Sequence, residues 1–256
     1  MKNGAKIPAL FIAVAISLLS CSRDPQQGTD IDTGQQAPTI KASVGGSIST
    51  TKATDTGWEP GDRIGITMLY KDNRQIVGDN FNFLYVTNGS GGEFTPGVQE
   101  KAIYFPQEGS LVTFLAYYPF TAGLTRDMKI PLSVASQANL SRIDFMTAVH
   151  QGGESKSDRN IILRFHHKLS KLIFNLSQPV GQPAIDLSKV TMKVKGSKTT
   201  GSYDLFSETL TVNDASVAEL QVPRLAVNND WEAIVMPRQA GAGIEFEFTD
   251  AEGGIY

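Results

Sequence analysis

Val190-Thr191-Met192-Lys193-Val194-Lys195 alternates apolar and polar side chains without a break. Successive residues of an extended chain point to opposite sides, so Val190, Met192 and Val194 share one face, and Thr191, Lys193 and Lys195 share the other. A helix would scatter these residues around its circumference; a strand with one buried and one wet face sorts them. The same period returns near the end of the chain, where Ile244, Phe246 and Phe248 alternate with Glu245 and Glu247.

Working outward, period-2 patterning predicts further strands over 63–70, 81–87, 102–105, 111–118, 145–149, 161–167, 172–176, 220–222 and 231–236. Turn signals such as Asn88-Gly89, Gly91-Gly92 and Glu252-Gly253-Gly254 separate them. The best helix candidate, 133–143, is worth one turn or two. Many short antiparallel strands with one apolar face build β-sandwiches. About a dozen strands exceed one seven-stranded unit. Pro179, Gly181 and Pro183 interrupt the pattern between two strand-rich halves. The expected organisation is an all-β protein with an N-terminal sandwich over 39–180 and a shorter C-terminal one over 184–256.

The 256 residues are 41% hydrophobic and 19% charged, with a formal net charge of −3 and one cysteine. That apolar content suffices for packed cores. One cysteine excludes an internal disulfide framework, and a mildly acidic chain gives no electrostatic reason to bind nucleic acid. The cysteine, Cys21, ends the one long apolar run. Lys2 and Lys6 precede an uncharged run from Ile7 to Leu19. About 13 helical residues, at about 1.5 Å each, fall short of a hydrocarbon core of about 30 Å. A basic start, a short apolar centre and a small residue before a cut make a secretory signal peptide over 1–20. Leu18-Leu19-Ser20-Cys21 resembles the bacterial lipoprotein box, with cleavage between Ser20 and Cys21 and Cys21 as the lipidated residue; Leu19 stands where a smaller residue is common. The other reading is a plain secreted protein with a chance cysteine. Residues 21–38 are polar, lack apolar periodicity and read as a flexible tether.

No nucleophile elbow, phosphate-binding loop or zinc-protease motif is present. His150, His166 and His167 are the only histidines, and the last two, adjacent on a strand, point to opposite faces and cannot chelate one metal together. Asp62 reads as a turn aspartate bonded to nearby backbone, and Asp144 is similar. Trp58, Trp231, Tyr117 and Tyr118 could stack on sugars, but alternation puts Tyr117 or Tyr118 inward, and the four read better as core. The reading is non-enzymatic, with no catalytic residues, metal or cofactor.

Several segments together resemble one family. Thr51-Lys52-Ala53-Thr54 with Trp58-Glu59-Pro60-Gly61-Asp62-Arg63-Ile64-Gly65 is similar to the opening signature of the fimbrillins of Bacteroidetes, the subunits of type V pili. Phe114-Leu115-Ala116-Tyr117-Tyr118-Pro119, Asp144-Phe145-Met146-Thr147-Ala148 and Phe165-His166-His167-Lys168-Leu169-Ser170-Lys171-Leu172 resemble its next signatures. Thr200-Gly201-Ser202-Tyr203-Asp204-Leu205 and Val235-Met236-Pro237-Arg238-Gln239 resemble those of its second domain. The resemblance implies two transthyretin-like sandwiches in tandem, export as a lipoprotein held in the outer membrane through acylated Cys21, and a place in a surface fimbrium. It also implies donor-strand exchange with other pilus subunits. A trypsin-like protease removes the first strand, here 40–44, and an extended strand of another subunit fills the groove. Lys52, in a Thr/Ser/Gly-rich stretch, is the best-placed cut site; its other reading is a solvated loop lysine. The alternative function is a lipid-anchored adhesin that meets a host or bacterial surface glycan or protein and does not polymerise.

The chain departs from the family at its end. The turn signal Asp250-Ala251-Glu252-Gly253-Gly254 calls for a returning strand, of which only Ile255 and Tyr256 follow. Two readings stand: a truncated sequence with an incomplete second sandwich, or a protein without its donor segment.

Overall fold

Seven strands close on themselves around the first core. The structure is a computed structural model that describes residues 36–45, 57–89, 91–98, 101–151, 153–178, 180–181, 185–225, 230–237 and 243–256. The barrel comprises β1 (Thr39–Gly45), β2 (Arg63–Tyr70), β3 (Phe83–Thr87), β4 (Glu93–Pro96), β5 (Val112–Tyr118), β7 (Met146–Gln151) and β8 (Asn160–His167). They are joined in the order β1-β4-β3-β2-β5-β7-β8, and β8 returns to β1. The β1–β8 pair is parallel, while the other strand pairs among the described residues are antiparallel. Ile64, Ile66, Met68, Phe114, Ala116, Ile161, Leu163 and Phe165 fill the barrel.

Three smaller sheets follow. One runs β6 (Lys129–Ser133), β11 (Thr200–Asp204) and β12 (Thr209–Val212), with β11 central. Another sets β10 (Thr191–Lys198) between β13 (Val217–Val222) and β15 (Glu245–Thr249). The third pairs β9 (Ser170–Asn175) with β14 (Asp230–Val235). Strands β6 and β9 precede residue 179 yet pair with strands beyond residue 199, so sheet pairing crosses the Pro/Gly-rich stretch 179–183 twice.

A second core lies on the outer side of β5, where Tyr117 and Phe145 pack with Met128, Ile130, Tyr203, Leu205, Ile234 and Met236. Both faces of β2 and β5 are thereby covered, so Gly65, Thr67 and Leu69 are buried along with Ile64, Ile66 and Met68. Gly65 belongs to this arrangement: a Cβ there would collide with the Tyr117 ring and Asn82. The Tyr117 hydroxyl lies 2.7 Å from Asn82 Oδ1 and 2.9 Å from the Thr121 carbonyl. Burial pushes this phenol up to about 12 against those bonds. Strand β14 is also buried on both faces. Its Ile234 enters the second core, and Trp231, Ala233 and Val235 enter a third with Val190, Met192, Val194, Leu220 and Val222.

Alternation misleads at 102–105 and at Phe246, while the short helix expected within 133–143 is reduced to a single turn. Residues 102–105 are not a strand: Ile103 and Phe105 are buried, but the Ile103 N–H donates to the Tyr85 hydroxyl at 3.0 Å and the Phe105 N–H to the Gln36 carbonyl at 3.0 Å. Residues 133–143 hold one 3-10 turn, Leu140–Arg142, capped by Asn139. Between them the buried Gln137 side chain donates to Val134 and Ile234 carbonyls and accepts from the Ile234 N–H, at 2.6, 2.9 and 2.9 Å. On β15, Phe246 does not reach full burial and stays 42% exposed.

Candidate functional site

The site is the seat of β1 and the cleft at its far end. Strand β1 reads Thr39-Ile40-Lys41-Ala42-Ser43-Val44-Gly45. Ile40 and Ala42 are 2% and 6% exposed, and Val44 packs against the same core, while Thr39, Lys41 and Ser43 face water. Both edges are engaged. On one side the register pairs Ile40 with Phe94 and Lys41 with Glu93; on the other it runs parallel from Thr39–Asn160 to Gly45–His166. The Thr39 N–H donates to the Arg159 carbonyl at 2.9 Å and the Ala42 N–H to the Gly92 carbonyl at 2.7 Å. Gly92 has φ +68°, and a Cβ there would strike the Ala42 carbonyl oxygen, so the approach demands glycine.

Trp58 lies across the inner side of this strand. Its ring centroid is 5.1 Å from Phe94 on β4 and 5.1 Å from Phe165 on β8, edge-on to both, and 5.5 Å from Tyr118. Its Nε1–H donates to the Ala42 carbonyl at 2.9 Å. The turn after it is set by Asp62, whose Oδ2 accepts from the Glu59 N–H at 2.8 Å and whose Oδ1 accepts from the Tyr118 hydroxyl at 3.1 Å. Burial, and then the negative charge of Asp62, push the Tyr118 phenol well above its ordinary range. The expected turn role of Asp62 is therefore present, with a tie to the barrel wall added.

Beyond Val44 the seat opens into a cleft of about 470 Å³, lined by Trp58, Tyr118, Asp144, His167, Lys171 and Glu232 among others. His167 Nδ1 is 2.8 Å from Asp144 Oδ1. Lys171 Nζ is 2.8 Å from Glu232 Oε2, in a residue only 5% exposed. These pairs tie barrel strand β8 to the turn before β7 and β9 to β14; their carboxylates are engaged in structure. No group of three or more His, Cys, Asp or Glu side chains poised for a metal occurs among the described residues.

Ser20, Cys21 and Lys52, the cleavage, lipidation and processing residues expected from sequence, lie outside the described residues. Trp58, Trp231, Tyr117 and Tyr118 are all buried, and both tyrosines are inside because β5 is covered on two faces. His150 packs edge-on against Phe114 at 5.0 Å. Sequence reasoning missed β4 and the Asp144–His167 pair. Gly91-Gly92 hinted at the hairpin that β4 completes, but nothing local in Glu93–Pro96 marks it as the partner of β1.

Three comparisons bear on identity. A family model described as fimbrillin-like matches residues 51–256. A candidate fimbrium subunit of Bacteroides uniformis, Fim1C, is 31% identical over 255 residues, spanning 97% of this chain and 80% of that protein. The crystal structure of a candidate cell adhesion protein from Bacteroides uniformis superposes with a TM-score of 0.72 at 28% identity, covering 90% of this chain and 84% of that one.

Proposed function

Because the chain belongs to the fimbrillin-like family, we propose that it is a non-catalytic structural or adhesive component of a surface fimbrium that assembles by strand exchange. The seat of β1 carries this reading. A seven-residue strand is held by backbone bonds along both edges and supplies Ile40 and Ala42 to the core. The segment that connects it onward to Trp58 contains Lys52. Cutting there and releasing β1 leaves β4 and β8 with unpaired edges and exposes the flank of Phe94, Leu163 and Phe165. That is the template on which a strand of another subunit adds. Cys21, acylated after removal of residues 1–20, anchors the precursor in the outer membrane.

N-terminal sequencing of fimbrium-associated protein tests the cut: the chain should begin at Ala53, and a chain still beginning at Cys21 overturns it. Labelling with a palmitate analogue should be lost in Cys21→Ala. A second reading, a lipid-anchored adhesin that does not polymerise, draws on the similarity to the cell adhesion protein. Failure of the nicked chain to form SDS-resistant ladders, together with specific retention on a glycan array, would favour it. A receptor would then be met by residues other than Trp231 and Tyr117, which have no exposed face to offer; Trp58 and Tyr118 reach only the wall of the cleft.

A further inference from the structure

We infer that Trp58 filters by size the strand that fills the β1 seat: the occupant supplied by another subunit carries a bulky aliphatic, a small and a β-branched residue at its three inward positions. The inference rests on the strand-exchange reading and names the chemistry of the incoming segment.

The inward face of β1 is Ile40, Ala42 and Val44. Its two flanking strands present Phe94, opposite Ile40, and Phe165, opposite Val44. The Trp58 ring touches both, so it bridges β4 to β8 beneath the middle of β1, where Ala42 sits. Its N–H bonds the Ala42 carbonyl and fixes the indole at that height. Tyr118, a third edge-on neighbour tied to Asp62, further restrains the indole. Close-packed interiors transmit such constraints without slack. A longer side chain at the middle position must displace an indole held by three rings and a hydrogen bond. The outward positions discriminate less: Lys41 meets Glu93 at 3.3 Å, with both side chains more than half exposed. A segment like 243–249, with Ile244, Phe246 and Phe248 at alternate positions, sets an aromatic where Ala42 stands and is excluded.

Two measurements test this. In the intact chain, Ala42→Leu should lower Tm by about 4–8 °C, and adding Trp58→Phe should recover at least half of that loss. Ala42→Val serves where Ala42→Leu does not fold. Strictly additive losses, or no effect of Ala42→Leu, overturn the filter. In the second, a specific protease site replaces residues 49–53, and β1 is cut and removed. The peptide Thr-Ile-Lys-Ala-Ser-Val-Gly should then bind at least tenfold more tightly than the same peptide with Leu at its fourth position. Trp58→Phe should narrow that ratio, and a peptide of residues 243–249 should not bind. Equal binding of all peptides overturns the filter and leaves exchange standing. Coupling in the intact chain with no peptide bound overturns exchange and, with it, the inferred occupant.

Discussion

The barrel core and the core behind β10 use the same alternation and are sealed to different degrees. Around Trp58 each aromatic neighbour is buried, and every barrel strand has a partner on both edges. Around Trp231 the core is bounded by a two-stranded and a three-stranded sheet. Phe174 meets Phe246 and Phe248 at 4.9 and 6.0 Å at a rim where Phe246 is 42% exposed. The outer edge of β15 meets, among the described residues, Ile255 and Tyr256: Phe248 and Tyr256 exchange backbone bonds of 3.1 and 3.0 Å. Asp250 closes that hairpin, accepting from the Glu252 and Gly254 N–H groups at 3.0 and 2.7 Å. The difference is confined to the rim: Trp231 is as deeply buried as Trp58, and Phe246, at the open edge, is the large side chain left wet.

The sharpest way to break the comparison is truncation in each core. Phe165→Ala should cost about 3–5 kcal/mol, the range for a fully buried aromatic, measured by urea unfolding; a loss below 1 kcal/mol would mean the barrel is not the sealed core. The next effect is alkaline. Tyr85, in the barrel, and Tyr117, in the second core, are both pushed up to about 12, chiefly by burial. Their folded values lie above the unfolded value of about 10, so their contribution is complete below pH 10 and is lost between pH 10 and 12, at about 2–3 kcal/mol each. Tyrosinate absorbance should rise in two stages, exposed phenols first, and a single stage near pH 10 would contradict the packing. Phe246→Ala, at the open rim, should cost about 1 kcal/mol or less; a loss matching that of Phe165→Ala would erase the distinction. Smallest of all, a double-mutant cycle on Lys41 and Glu93 should give about 0.2–1 kcal/mol that vanishes in 1 M salt.

Much of the all-β architecture is legible in the sequence because alternation is complete along β8, which buries one face, and persists in part along β2, β5 and β14, which are covered on both. The spans 63–70, 111–118, 161–167 and 231–236 coincide with β2, β5, β8 and β14 to within a residue or two. Strand β6 escapes because Lys129–Ser133 carries Pro131, and its partner β11 lies about 70 residues away. Strand β4 escapes because four residues with one buried side chain carry no period. The candidate site is half legible. Residues 40–44 read as a strand through the family resemblance, but the parallel match to 160–166 joins positions about 120 residues apart and leaves no local trace. Nor does sequence spacing reveal that Trp58 reaches back to Ala42.

The way β1 is seated also has a mechanical meaning. Its bonds to β4 and β8 run across the strand, so a pull along its axis loads both ladders at once instead of opening them one bond at a time. Resistance to such a pull is a matter of rate, set by the barrier to rupture and not by equilibrium stability. A segment occupying this seat is thus gripped hardest along its own axis.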